Sequence, residues 1–141
     1  MTLLKKGDGV SDLRVYVVSK LLVDSRGQMW VGTWGAGLAL YDPTSESFQR
    51  VRENPAGVAS LKDSRIQVLF EDAEHALWVG TYQSGLARLE SNEGAAASFR
   101  HSPVDPRSLS SDRVWSMTQC GDGSLWVGTE AGLNRFARTS G

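Results

Sequence analysis

The chain has 141 residues, a formal net charge of −1 and a sequence pI of 6.1, so no positive field favours nucleic acid or an anionic membrane. No stretch approaches the roughly 18–20 apolar residues of a membrane span, so we expect no direct membrane insertion, and residues 1–6 lack the apolar core of a signal peptide. The single cysteine, Cys120, excludes an internal disulfide, and with two histidines it leaves no metal-ligand spacing; we expect no cofactor and no metal.

The tetrapeptide Trp-Val-Gly-Thr occurs three times, beginning at Trp30, Trp78 and Trp126, with 48 residues from each copy to the next. A constant period of a few tens of residues indicates one supersecondary unit repeated along the chain. The period divides the chain into four parts, which are an N-terminal segment at 1–12 and three units at 13–59, 60–107 and 108–141.

In the first unit a strand pattern begins at Val15, breaks at 24–27 and breaks again at 34–37. The segments between the breaks are about five residues long, β-branched or aromatic, and bounded by Gly, Asp and Ser. This pattern predicts short antiparallel strands joined by tight turns. A fourth strand is predicted at 48–52, and it ends before Pro55 because proline cannot donate to a ladder.

The second and third units repeat this plan with small differences. The second unit breaks at 73–76 and 82–85, and its fourth strand is predicted at 98–101. The third unit stops after its third strand, near Phe136, and so lacks an outer strand of its own. We hypothesise that the N-terminal segment, through residues 2–6, supplies that strand within a ring or between chains.

Four short antiparallel strands per unit of roughly 40–50 residues are typical of a β-propeller blade. The sequence therefore predicts an all-β fold, a β-propeller segment of three four-stranded antiparallel blades with a period of 48 residues. The three repeated tryptophans are predicted to pack between blades. Because propellers carry about 4–8 blades, we expect either self-association, with two copies giving six blades, or the remainder of a larger propeller.

The repeat resembles that of the two-component regulator propeller family. The matching residues are 108–117, 121–129 and 131–136, and residues 100–109 resemble the linker that precedes each blade in that family. The resemblance covers about residues 13–137. It departs from the family pattern at 73–76, where an Asp-Gly turn is usual, and before Leu133, where the third unit is one residue short.

The resemblance implies sensing rather than catalysis. In that family such repeats form the sensor region of membrane-bound bacterial histidine kinases, including hybrid kinase–regulators. These propellers usually lie in the periplasm and respond to ligands, often oligosaccharides. We therefore expect a ligand-sensing segment, periplasmic if it follows the family, with a structural or protein-interaction module for receptor dimerisation as the alternative.

Five residues are candidates for ligand binding. Trp34, Tyr82 and Glu130 directly follow the repeated tetrapeptide, while Arg65 and Arg113 stand at the start of the innermost strands. In a four-stranded meander these positions fall on one face, and aromatic rings with arginines suit a sugar or small polar ligand.

A purely structural role for these residues stays open. The arginines could pair with Asp63 and Asp112, and the rings could serve packing. A third possibility, an enzyme, would need carboxylates or histidines that converge on the loop face. The sequence places only Glu130 and Asp112 there, so we predict no enzyme. Asp24 and Asp72 recur after the first strand and are predicted to cap turns.

Overall fold

The computed structural model describes residues 17–50, 65–91 and 94–136. The hypothetical closing strand at 2–6 lies outside the described residues, as does Asp63. Within the described ranges every regular element is a strand, and no helix there is long and apolar enough to cross a bilayer. The strands are β1 Val17–Val23, β2 Met29–Trp34, β3 Leu38–Asp42, β4 Ser47–Arg50, β5 Ile66–Glu71, β6 Leu77–Thr81, β7 Leu86–Ser91, β8 Gly94–Phe99, β9 Val114–Gln119, β10 Leu125–Thr129 and β11 Gly132–Phe136.

The strands form three antiparallel meanders, one per repeat. Their orders are β1-β2-β3-β4, β5-β6-β7-β8 and β9-β10-β11, with each strand bonded to its neighbour in sequence. The predicted all-β fold of propeller blades is confirmed. In the described part of the chain the third blade has three strands, where the first two have four.

One strand boundary was predicted wrongly. The fourth strand of the second blade was expected at 98–101, but β8 runs from Gly94 to Phe99 and pairs with β7 from Ser91↔Gly94 to Leu86↔Phe99. Its alanine-rich start has low strand propensity, so the sequence pattern missed it. Because β7 begins at Leu86, opposite Phe99, the chain leaves the ladder after Phe99.

Two of the three repeated tryptophans, Trp30 and Trp78, pack between consecutive blades as predicted, whereas Trp126 is half-buried and no described blade follows it. Trp30 lies in a buried cluster with Leu77 and Val79 of the second blade. Trp78 is 1% exposed and lies in a second cluster with Leu125 of the third blade. Each indole therefore covers the sheet that follows it in the chain.

The repeated glycine makes room for this packing. A Cβ at Gly32 would lie 2.7 Å from Cγ2 of Ile66, and one at Gly80 would lie 2.7 Å from Cγ1 of Val114. In both cases the first inward residue of the next blade fills the space of the missing side chain. At Gly128 the nearest atoms belong to Ser116 of the same blade, so no following blade fills that space in the described chain.

The outer face of the third blade is accordingly uncovered. The leucine opposite the repeated glycine is 2% exposed at Leu38 and 0% at Leu86, but 68% at Leu133. At the other end of the described chain, β1 carries its own row of exposed apolar residues: Val17, Val18, Leu21 and Val23.

The first turn of each of the first two blades is capped by an aspartate, as predicted. Oδ1 of Asp72 accepts backbone N–H groups of Glu74 and Ala76 at 2.9 and 3.0 Å, and Oδ2 accepts the Trp78 indole N–H at 2.8 Å. Asp24 makes the same three contacts within its own turn. The carboxylate thus ties the turn to the buried tryptophan.

In the third blade the capping position is taken by Cys120. The turn still closes, because the backbone N–H of Cys120 donates to Ser124 O at 2.9 Å and Asp122 Oδ1 accepts the Ser124 N–H at 2.9 Å. A thiol is a much weaker acceptor than a carboxylate, so Trp126 lacks the charged partner that the other two indoles have.

Polar side chains also link neighbouring blades on the side of these turns. Glu71 accepts the backbone N–H of Ser25 at 2.9 Å and its hydroxyl at 2.6 Å. Gln119, 48 residues later, accepts the backbone N–H of Ala73 at 2.8 Å. The repeat therefore fixes an inter-blade hydrogen bond as well as an apolar core.

We expect Cys120→Asp to raise the free energy of unfolding by about 0.5–1.5 kcal/mol, because the new carboxylate can accept the Trp126 indole and turn N–H groups. The matched change Asp72→Ala should lower it by about 2–3 kcal/mol, since it leaves the buried Trp78 N–H without an acceptor. Urea unfolding at pH 7 measures both. An unchanged midpoint for Cys120→Asp would show that the cap cannot be transferred.

Stability should fall in acid through Asp24. Burial acts to raise its pKa, but hydrogen bonds from the Trp30 indole and the N–H groups of Gln28 and Arg26 outweigh burial, so the pKa of Asp24 is lowered. The unfolded chain then binds the proton first. The contribution is complete above pH of about 4 and is lost as pH falls through the folded value. Urea midpoints between pH 7 and 2 should fall less steeply for Asp24→Asn; parallel curves would contradict this.

Candidate functional site

The candidate site lies on the face where the second strand of each blade turns into the third. The threonine of the repeated tetrapeptide fixes this loop. Thr33 Oγ1 donates to Gly37 O at 2.8 Å and Thr81 Oγ1 donates to Gly85 O at 2.9 Å, and both threonines are buried. The residue that follows each threonine therefore projects from a rigid loop.

Gly85 shows how closely this loop is held. Its φ is +80°, and an added Cβ would lie 2.3 Å from Phe99 O, so no larger residue fits. Its N–H donates to Asp112 O at 2.9 Å. The loop of the second blade is thereby bonded to the segment that leads into the third.

Backbone hydrogen bonds place the loop residues beside the arginines. The Tyr82 N–H donates to Arg65 O and the Glu130 N–H donates to Arg113 O, each at 3.1 Å. Trp34 forms an isolated antiparallel bridge with Arg65 of the following blade. The repeat geometry thus brings both sets of predicted site residues to the same rim.

Tyr82 is the centre of the resulting cluster. Its ring centroid lies 5.6 Å from that of Trp34, and the guanidinium carbons of Arg65 and Arg113 lie 4.2 and 4.5 Å from it. Arg113 Nη1 in turn lies 3.1 Å from Glu130 Oε1. All five predicted site residues therefore form one continuous set of contacts, which we call the Tyr82 cluster.

Arg113 does not pair with Asp112, as the structural alternative supposed, while the other supposed pair, Arg65 with Asp63, lies partly outside the described residues. Arg113 pairs with Glu130, whereas the neighbouring carboxylate of Asp112 lies 3.6 Å from Nη2 of Arg100 and accepts the backbone N–H of His101. Arg65 donates to Gln83 Oε1 at 2.7 Å. Asp112 and Arg113 thus have different partners.

The electrostatics of the cluster favour a fixed arrangement. A guanidinium over an aromatic face is attracted by the ring quadrupole, and Tyr82 holds two such groups while Glu130 balances one of them. The arginines are thereby oriented before any ligand arrives. Side chains that are ordered in advance lose less entropy when they bind.

Two residues of this face were missed at the level of sequence. Gln67 Oε1 accepts the Trp34 indole N–H at 3.0 Å. Trp115 lies edge-on to Tyr82, with centroids 6.1 Å apart, and is 50% exposed. Each is the second residue of the innermost strand of its blade, and the two positions are 48 residues apart. An alignment of the repeats on this position could have revealed them.

Two depressions flank the Tyr82 cluster. One is a cleft of about 410 Å³ next to Trp34 and Trp115. The other is a polar depression of about 510 Å³ between the second and third blades, which includes His101, Arg113 and Glu130. Within the part of the chain that is described, no three His, Cys, Asp or Glu side chains gather into a possible metal site.

Three consecutive meanders that pack face to face through a repeated tryptophan define a protein of the β-propeller class. The family model of the two-component regulator propeller matches residues 12–35 and 60–83. These two segments are therefore similar to the repeat of that family. None of the curated proteins matches it.

Solved structures share the fold. The extracellular domain of BT3049 from B. thetaiotaomicron, described as a hybrid two-component system, is 24% identical with a TM-score of 0.68, over 84% of this chain and 14% of that one. The extracellular domain of BT4673, described likewise and from the same organism, is 22% identical with a TM-score of 0.69, over 90% and 16%. PorZ of Porphyromonas gingivalis, a bacterial surface component of the type-IX secretion system, is 23% identical with a TM-score of 0.64, over 84% and 17%.

The chain thus spans less than a fifth of the length of these proteins. At this level of identity the likeness concerns the fold of the blades.

Proposed function

We propose that this chain is a non-catalytic, ligand-sensing propeller segment of a bacterial two-component signalling receptor, and that the Tyr82 cluster binds a small polar ligand or oligosaccharide. One observation carries the proposal. The positions directly after the buried core motif bear Trp34, Tyr82 and Glu130, different in each blade, and they meet two arginines at an accessible rim. Packing alone would favour repetition at these positions.

The comparisons support a location outside the cytoplasm. The neighbours BT3049 and BT4673 are represented by extracellular domains, and residues 12–35 and 60–83 are similar to the repeat of a regulator propeller. We infer that this segment lies in the periplasm or outside the cell, where it would meet ligands before the signal crosses the membrane.

The charges of the site support binding rather than catalysis. The two carboxylates at the rim, Glu130 and Asp112, lie 3.1 and 3.6 Å from guanidinium nitrogens. An acid–base pair would need carboxylates that face a shared substrate position. Both carboxylates line one depression, but each contacts a guanidinium, and these contacts hold them in a fixed network.

Ligand binding should raise the melting temperature and should depend on the Tyr82 cluster. With an oligosaccharide panel at a hundred times Kd, the expected stabilisation of about 2.7 kcal/mol corresponds to several degrees. Trp34→Ala and Tyr82→Ala should abolish the shift and leave the circular dichroism spectrum unchanged. The control Val104→Ala alters an exposed apolar residue of the linker and should keep the shift. Equal shifts in all variants would contradict this site.

A structural role of the third blade is favoured by a separate observation. Leu133 is exposed at the position where Leu38 and Leu86 are buried by the following blade. We propose that this face is covered by a further blade, through self-association of the chain or from the remainder of a larger propeller. Such an interface could also mediate receptor dimerisation.

Molar mass from light scattering over a dilution series tests self-association. We expect a discrete oligomer that Leu133→Asp dissociates, since a charge would be placed in the apolar contact. Val104→Asp adds the same charge to an exposed linker position and should leave the mass unchanged. A monomer at every concentration would contradict self-association and assign the covering blade to a longer protein.

A further inference from the structure

Each inner strand contains a β-bulge at the same place. The pairing of β9 with β10 passes from Val114↔Thr129 directly to Ser116↔Gly128, which leaves Trp115 without a partner in the ladder. The same shift leaves out Ser19 in β1 and Gln67 in β5. A bulge re-aims the extra side chain, so these three residues are turned out of the sheet at corresponding positions.

In the first two blades the bulge residue makes hydrogen bonds that join blades. Ser19 Oγ lies 3.1 Å from Gly32 O and 2.6 Å from Ile66 O of the next blade. Gln67 Oε1 accepts the indole N–H of Trp34 from the preceding blade. Both side chains are small or flexible and fully engaged in the fold.

Trp115 cannot accept a hydrogen bond as Gln67 does, because an indole has one donor and no acceptor. Half of its surface is exposed, and its contact with Tyr82 is edge-on. An apolar ring of this size gains free energy when it is covered, yet the fold leaves it open. Its exposed face at the wall of the cleft is available to a ligand.

The Trp115 indole lines a cleft whose volume suits a small-molecule ligand. Its volume of about 410 Å³ lies within the about 300–1,000 Å³ typical of small-molecule sites. The cleft is lined by Val17, Ser19, Lys20, Trp34, Gln67 and Trp115. Two indoles provide apolar surface on which the C–H face of a sugar ring can stack.

The charge of the cleft is positive. Lys20 is exposed at its rim, and no described residue forms an ion pair with it. Among the described residues, Glu130 and Asp112 line the other depression and lie beside arginines. Among the described residues that line the cleft, an anionic group would meet the Lys20 ammonium and no carboxylate.

We propose that this cleft is the subsite for an anionic sugar ring of the sensed oligosaccharide, with Trp115 stacking on the ring and Lys20 binding its carboxylate or sulfate. The inference rests on the proposed function and adds the chemical class of the ligand. Trp115 and Lys20 thereby join the Tyr82 cluster as binding residues, and they determine the preference for an acidic sugar.

Calorimetric titration with matched probes tests the proposal. The probes are trigalacturonate, its methyl ester, a 6-sulfated chitobiose and neutral maltotriose. Wild-type protein should bind the carboxylate or the sulfate probe at least tenfold more tightly than the ester and maltotriose, and raised salt should reduce that difference. The preferred anion distinguishes a uronic acid from a sulfated sugar.

Two variants separate the roles of the proposed residues. Trp115→Gln introduces the residue that the second blade carries at the same bulge, so folding should be retained; it should weaken binding of the preferred anion and of the neutral probes about tenfold or more. Lys20→Gln should remove only the preference for the anion. The control Val104→Gln should bind as wild type does. Circular dichroism confirms that each variant is folded.

The possible failures are distinct. If no probe binds to wild-type protein, the proposed function and this inference both fall. If a neutral probe binds as tightly as the anionic ones, or if Trp115→Gln binds normally while Tyr82→Ala does not, the sensing function stands and the inference is overturned.

Discussion

The packing of the repeated tryptophans Trp30 and Trp78 on the next sheet is the interaction on which the rest of the structure depends. Trp30 and Trp78 are almost fully buried, and a glycine two residues later lets Ile66 or Val114 of the following blade approach. A side chain at either glycine would clash with that residue. The distance between blades is thus fixed at each repeat, and the loops at the rim inherit the same spacing.

The fixed spacing of the blades explains how residues that differ between the repeats come together at the candidate site. Buried Thr33 and Thr81 tie down the loops through hydroxyl bonds to a glycine carbonyl, so the next residue can change without loss of the fold. At those positions the chain carries Trp34 and Tyr82, which meet across the boundary between blades. The core and the candidate site meet at adjacent residues of the chain, yet they obey different constraints.

Three residues of the third repeat lack the contacts that their counterparts make in the first two blades. Leu133 repeats a leucine that elsewhere is buried by the next blade, and Cys120 replaces the carboxylate that elsewhere holds the tryptophan. Trp115 replaces side chains that elsewhere join blades. The third repeat keeps the architecture while its side chains are released from structural roles, and the anionic-sugar subsite proposed above draws on one of these changes.

The sequence by itself determined the all-β blade architecture, because short β-branched and aromatic segments between tight turns recur with a constant period that is visible in the residues. It also predicted which five residues share a rim, since loop positions follow from the order of strands. Only the tertiary structure decided that Arg113 pairs with Glu130 rather than Asp112. It alone showed that Trp115 leaves the ladder, because a bulge depends on the register between two strands and has no local sequence pattern.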